Sequence, residues 1–170
     1  LDRCSRQIMA DPVQIHQIVM NLCTNAFHAM EQNGGILDIS LRECELSADD
    51  LQSNPKVQAG EFIVLSVGDT GAGIPVSIQN KMFEPYFTTK DVGKGTGMGL
   101  SIVHGLVTNL GGFVACESEL GKGTIFNVFF PVTDQQLSSD QKTSAIVQTG
   151  GEHILFVDDE EILVEMGKDM

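Results

Sequence analysis

Apolar residues recur at helical spacing from Ile15 through Ile18, Val19, Leu22 and Ala26 to Met30, which predicts an amphipathic helix. Asp11 can cap its start and Pro12 fits its first turn. Gly34-Gly35 closes it. Leu37, Ile39 and Leu41 then alternate with Asp38, Ser40 and Arg42, the pattern of a half-buried strand. Residues 47–60 are polar and hold Pro55 and Gly60, which predicts a long hairpin connection. The nearly continuous apolar run 62–67 suits a central strand, broken by 68–73. Residues 74–99 are mixed, with short helical pieces and a glycine-rich loop. Leu100, Val103, Leu106 and Val107 share one side of a second helix over 99–110, ended by Gly111-Gly112. Segments 113–117 and 124–130 form a hairpin through Leu120-Gly121-Lys122-Gly123, and Pro131 closes a domain spanning 1–131.

Beyond it the pattern fades. Residues 132–150, rich in Gln, Ser, Thr and Asp, have a linker composition. Ile154-Leu155-Phe156-Val157 then runs into Asp158-Asp159-Glu160-Glu161 and a short helical pattern. A domain needs at least about 50 residues, so 151–170 is expected to be a fragment. The first ten residues likewise read as the tail of something larger.

Composition narrows the function. The 170 residues suffice for one domain with a full core, and 42% hydrophobic content is ordinary. A net charge of -13 argues against nonspecific nucleic-acid binding and makes a local basic loop stand out. No apolar run reaches the roughly 18 residues of a membrane span, and no signal peptide is visible. Cys4, Cys23, Cys44 and Cys116 have neither C-x-x-C nor zinc-ligand spacing, so they read as reduced core thiols of a cytosolic protein.

Three features carry chemistry. Gln14, Gln17, Asn21, Asn25 and His28 form a polar stripe on the first helix, opposite the apolar one. It is either a solvated face or a functional one, since an amide carbonyl is a good neutral ligand for Mg²⁺. Asp69 ends the central strand before Thr70-Gly71-Ala72-Gly73. This is either turn chemistry or a carboxylate held on a rigid strand end for a ligand's amino group, with Gly71 and Gly73 letting a flat ring lie on the backbone. Gly93-Lys94-Gly95-Thr96-Gly97-Met98-Gly99 leads straight into the second helix. It is either a mobile loop or a polyphosphate site, built from glycine backbone, lysines and a positive helix end. It matches neither the Walker A nor the dinucleotide fingerprint. His16, His104 and His153 have no nucleophile and carboxylate beside them and read as satisfied or exposed histidines.

Five stretches in order resemble the boxes of the catalytic ATP-binding domain of sensor histidine kinases, within the gyrase and heat-shock chaperone ATPase superfamily. Asn21-Leu22-Cys23-Thr24-Asn25-Ala26 is similar to the N box and Asp69-Thr70-Gly71-Ala72-Gly73-Ile74 to the first glycine box. Phe83-Glu84-Pro85-Tyr86-Phe87-Thr88-Thr89-Lys90 resembles the F box, Gly95-Thr96-Gly97-Met98-Gly99-Leu100 the second glycine box, and Gly121-Lys122-Gly123-Thr124 the last glycine motif. The likeness covers roughly residues 8–131.

The resemblance implies an α/β (α+β) sandwich of the Bergerat type, three-layer-like, with helices on one face of a mixed β-sheet. ATP would lie between the helices under a lid over about 84–97. Asn25 would hold Mg²⁺, and Asp69 would bind the adenine amino group. Gly71, Gly73 and Ile74 would shape the base pocket, with Thr124 behind Asp69. Gly95, Thr96, Gly97, Gly99 and Leu100 would cradle phosphates, with Lys90 and Lys94 as phosphate contacts. His28 joins this set where many family members carry a basic residue. Asn21, Asn25 and Lys90 are the catalytic residues it implies.

In the superfamily's ATPases a glutamate stands at the place of Asn21 and acts as general base on water. An amide takes no proton at neutral pH. The implied activity is therefore transfer of the γ-phosphate of ATP to a histidine on a separate dimerisation domain, upstream and absent here. The alternatives are a nucleotide-sensing module without transfer and an ATPase clamp. Ile154 to Glu160 resembles the first strand of a receiver domain, with Asp158 and Asp159 as its Mg²⁺-binding pair. That implies a hybrid kinase of a two-component phosphorelay, a receiver or response regulator as partner, a homodimeric parent and a cytoplasmic catalytic domain, whether or not the parent is membrane-anchored.

Overall fold

The computed structural model describes residues 6–52, 54–88 and 97–133. The chain divides into two units, Leu1–Gln136 and Leu137–Met170, and every described residue belongs to the first. The receiver-like stretch and residues 134–150 of the expected linker lie outside the described residues.

Helix α1 spans Pro12–Ala29, and Asp11 caps it by accepting the Val13 N–H at 2.8 Å. It is followed by strand β1 (Leu37–Leu46), strand β2 (Gly60–Asp69), the short helix α2 (Val76–Gln79) and helix α3 (Gly99–Asn109). Strands β3 (Phe113–Glu119) and β4 (Gly123–Pro131) complete the unit. The strand order is β1-β2-β4-β3. All three ladders are antiparallel, so among the described residues the sheet is antiparallel where a mixed one was expected, with one helix layer rather than a three-layer arrangement. β1–β2 and β3–β4 are each joined as an antiparallel hairpin, while β2 and β3, consecutive in sequence, are separated in the sheet by β4.

Period-two alternation gives β2 and β4 two different faces. Leu65 and Val67 pair with Val128 and Phe126, and with Phe130 they bury against Ile18 and Leu22 of α1 and Val103 and Val107 of α3. Burying one such side chain stabilises by roughly 1.5–3 kcal/mol, so this shared layer holds the helices to the sheet. Phe62 and Val64 point the other way and are buried too, with Phe113 stacked on Phe129 at 4.3 Å on that side. Leu37 and Ile39 are exposed rather than half-buried, because the helices lie over β2, β4 and β3 more than over the edge strand β1.

The two ends of the sheet differ. At one, Thr133 N–H donates to Gln7 C=O and Val132 N–H to Glu61 C=O, both at 2.9 Å, so pairing runs past Pro131. At the other, Asp69 faces Thr124. No helix among the described residues is long and apolar enough to cross a membrane.

Candidate functional site

Asp69 and Thr124 lie on the helix side of the sheet, two register positions beyond the Val67–Phe126 pair. Asp69 Oδ1 accepts the Gly71 N–H at 2.8 Å, which fixes the carboxylate at the strand end. Burial pushes its carboxyl above its ordinary value, while backbone hydrogen bonds from Gly71 and Thr124 pull the other way. Thr124 is 3% exposed, a buried polar side chain across the ladder from Asp69. Cys116 stands nearby on β3; burial first, then the charges of Asp69 and Glu117, push its thiol up to about 11.

The loop after Asp69 is held from three sides. Ala72 N–H donates to Ala29 C=O at the end of α1, and Ala72 C=O accepts from Gly121 N–H at 2.9 Å. Ile36 N–H donates to Thr70 Oγ1. A side chain on Gly71 would lie 2.5 Å from the Ala29 carbonyl oxygen, and one on Gly73 would overlap the Glu119 carbonyl. The two glycines are therefore required by the protein's own backbone, whatever they also do for a ring. Ile74 and Leu100 both pack against the helix-side core.

The polar stripe of α1 is not simply a solvated face. A Cβ placed on Gly99 would lie 3.4 Å from Asn21 Oδ1 and 4.0 Å from Asn25 Nδ2, so both amides face the first turn of α3. Met98 supplies no side-chain cap to that turn. Asn25 Nδ2 is buried and has no hydrogen-bond partner among the described residues. An orphaned amide of this kind usually costs about 1–3 kcal/mol and calls for a reason. Rotating the amide presents its oxygen instead, the donor Mg²⁺ prefers, so the residues fit a phosphate-bound Mg²⁺ between α1 and α3. His28, one turn on, has its ring edge-on to Phe27 and Nδ1 3.9 Å from Glu31. Gly97 packs on the backbone of Tyr86 and Phe87. His104 tilts against Phe83 at 5.3 Å, and His16 is exposed. Lys90, Lys94, Gly95 and Thr96 lie outside the described residues.

The structure thus brings Asn21 and Asn25 of α1 against Gly99 of α3, and Asp69 of β2 against Thr124 of β4, with Gly71 and Gly73 in the loop that follows Asp69. The sequence did not single out Ser118 and Gln79. Ser118 Oγ accepts the Ile74 N–H at 2.7 Å, and Gln79 Nε2 donates to Ile74 C=O at 2.9 Å. The available signal was Ser118 itself, a hydroxyl on the core side of β3 in register with Thr124.

Comparison with known proteins gives a consistent picture. The family described as histidine kinase-, DNA gyrase B-, and HSP90-like ATPase matches residues 10–134. Sensor kinase CckA of Brucella abortus (strain 2308) is 39% identical over 171 residues, covering 94% of this chain and 18% of that protein. The crystal structure of full-length ShkA in complex with AMPPNP is 29% identical with a TM-score of 0.54, covering 75% of this chain and 23% of that one. The catalytic domain of histidine kinase ThkA, in a nucleotide-free form, is 29% identical with a TM-score of 0.57, covering 76% and 75%. The chain spans about a fifth of the length of CckA.

Proposed function

We infer the function from the family to which the chain belongs, the histidine kinase-, DNA gyrase B- and HSP90-like ATPases: it is the ATP-binding catalytic domain of a sensor histidine kinase. In the full protein it passes the γ-phosphate of ATP to a histidine on a separate dimerisation domain. Asp69 accepts the adenine amino group in front of Thr124, and the first turn of α3 faces the phosphates. Asn25 holds Mg²⁺, which when bound neutralises phosphate charge. Lys90, Lys94, Gly95 and Thr96 contribute from the lid, and His28 borders the phosphates from α1.

The observation that carries this reading is the buried, unpartnered amide of Asn25 set against Gly99, with Asn21 one turn before it. Phosphoryl transfer depends mainly on positioning and charge neutralisation. Asn21 offers no base for water, so the site holds ATP for another nucleophile rather than consuming it. An ATP-using domain of this kind works in the cytoplasm, in a homodimeric parent.

Residues 151–170 are the start of a receiver domain, with Asp158 and Asp159 as its acidic pair. The support is that the alignment with CckA covers 94% of the chain, so it must run beyond residue 134, where the family match ends. A phosphorelay from the histidine to a receiver aspartate follows.

Calorimetric titration of the chain with ATP tests the site. Binding is expected with Mg²⁺, lost in Asp69→Asn, and made insensitive to Mg²⁺ in Asn25→Ala. Steady ATP hydrolysis by the isolated chain would sink the transfer reading in favour of an ATPase clamp.

A further inference from the structure

The hydroxyl of Ser118 has more neighbours than protons. It accepts the Ile74 N–H at 2.7 Å, lies 3.0 Å from the Gly123 carbonyl oxygen, and lies 2.9 Å from Thr124 Oγ1. A serine hydroxyl donates once and accepts twice. The Gly123 carbonyl can only accept. If Ser118 gave its proton to Thr124, two oxygens would face each other 3.0 Å apart with no hydrogen between them. The assignment that satisfies every contact sends the Ser118 proton to Gly123 and makes Thr124 donate to Ser118. Gln79 Nε2, 3.3 Å from the Ser118 carbonyl oxygen and 2.9 Å from that of Ile74, fixes the serine's backbone from α2.

The consequence falls on Thr124. Its only proton is committed to Ser118, so to any further neighbour its oxygen offers lone pairs alone. Asp69, its register partner, is a carboxylate and also accepts only. Together they form an edge of acceptors. Such an edge suits a ring bearing an amino group and opposes one bearing a carbonyl at the same place, where two acceptors would meet.

We propose that Ser118 is a specificity-determining positioning residue: by holding the Thr124 proton it makes this pocket select 6-amino over 6-oxo purine nucleotides. The proposal rests on the ATP-site reading above and adds to it the group that sets base choice.

The test is calorimetric binding of ATP and of inosine triphosphate, which carries a carbonyl in place of the amino group and an N1–H in place of the bare ring nitrogen, to the full chain and three variants. The parent chain is expected to prefer ATP. In Ser118→Ala the Thr124 proton is released to face a carbonyl, and the preference should narrow about five- to tenfold, chiefly through tighter inosine triphosphate binding. Ser118→Cys, similar in shape but a weak hydrogen-bonding group, should shift it the same way and carries the test if the alanine variant does not fold. Ser118→Thr restores a hydroxyl and should restore the preference. An unchanged preference in Ser118→Ala and Ser118→Cys, or equal weakening of both nucleotides, would overturn the proposal while leaving the ATP site standing. Failure of the parent chain to bind ATP would overturn the ATP site itself.

Discussion

Asp69 shows what the site costs the fold. Desolvation holds its carboxyl above the value it has in the unfolded chain. Between those two values the folded protein binds more protons than the unfolded one, so stability falls as pH rises through that window. Asp69→Asn keeps an acceptor for the Gly71 N–H but removes the charge. It should raise the melting temperature at neutral pH without nucleotide, give no gain at pH below the ordinary aspartate range, and abolish ATP binding. A lower melting temperature at neutral pH would contradict this. In the unsubstituted chain, ATP affinity should weaken on acidification as that raised carboxyl is protonated, which titrations across pH check. Asp69 was legible because a carboxylate ended an apolar strand. The reason for Gly71 and Gly73 was not, since the carbonyls of Ala29 and Glu119 that exclude a side chain come from distant parts of the sequence.

At the scale of elements, the end of α1 is tied directly to the loop after β2. Ala72 N–H meets Ala29 C=O at 3.1 Å, and Gly71 sits against the same carbonyl. Gly71→Ala drives a methyl into backbone that cannot turn away and should destabilise by about 1–3 kcal/mol in denaturant unfolding. Gly105 is the contrast. It lies inside α3, and an added Cβ would meet nothing within 4 Å. Gly105→Ala should therefore stabilise by about 0.5–1 kcal/mol. A loss there would show that α3 is packed more closely than these distances state. Helix α1 was readable because capping, periodicity and the following glycines agreed. The exposure of Leu37 and Ile39 was not, because alternation identifies a strand but says nothing about whether a helix covers it.

At the scale of the whole unit, the chain enters and leaves at the end of the sheet away from Asp69. Arg6 pairs with Glu61 at 2.6 Å there, and its N–H donates to Glu43. The pair is half-exposed, so Arg6→Ala should cost no more than about 1 kcal/mol. The central claim is that Asn21, where a base would be needed for hydrolysis, leaves ATP for a protein nucleophile. The direct measurement mixes the chain with the parent protein's phosphoacceptor domain and γ-labelled ATP, then follows label and released phosphate together. The account predicts label on one histidine of the acceptor, absent with Asp69→Asn, and little free phosphate. An unlabelled histidine alongside intact ATP binding would contradict it.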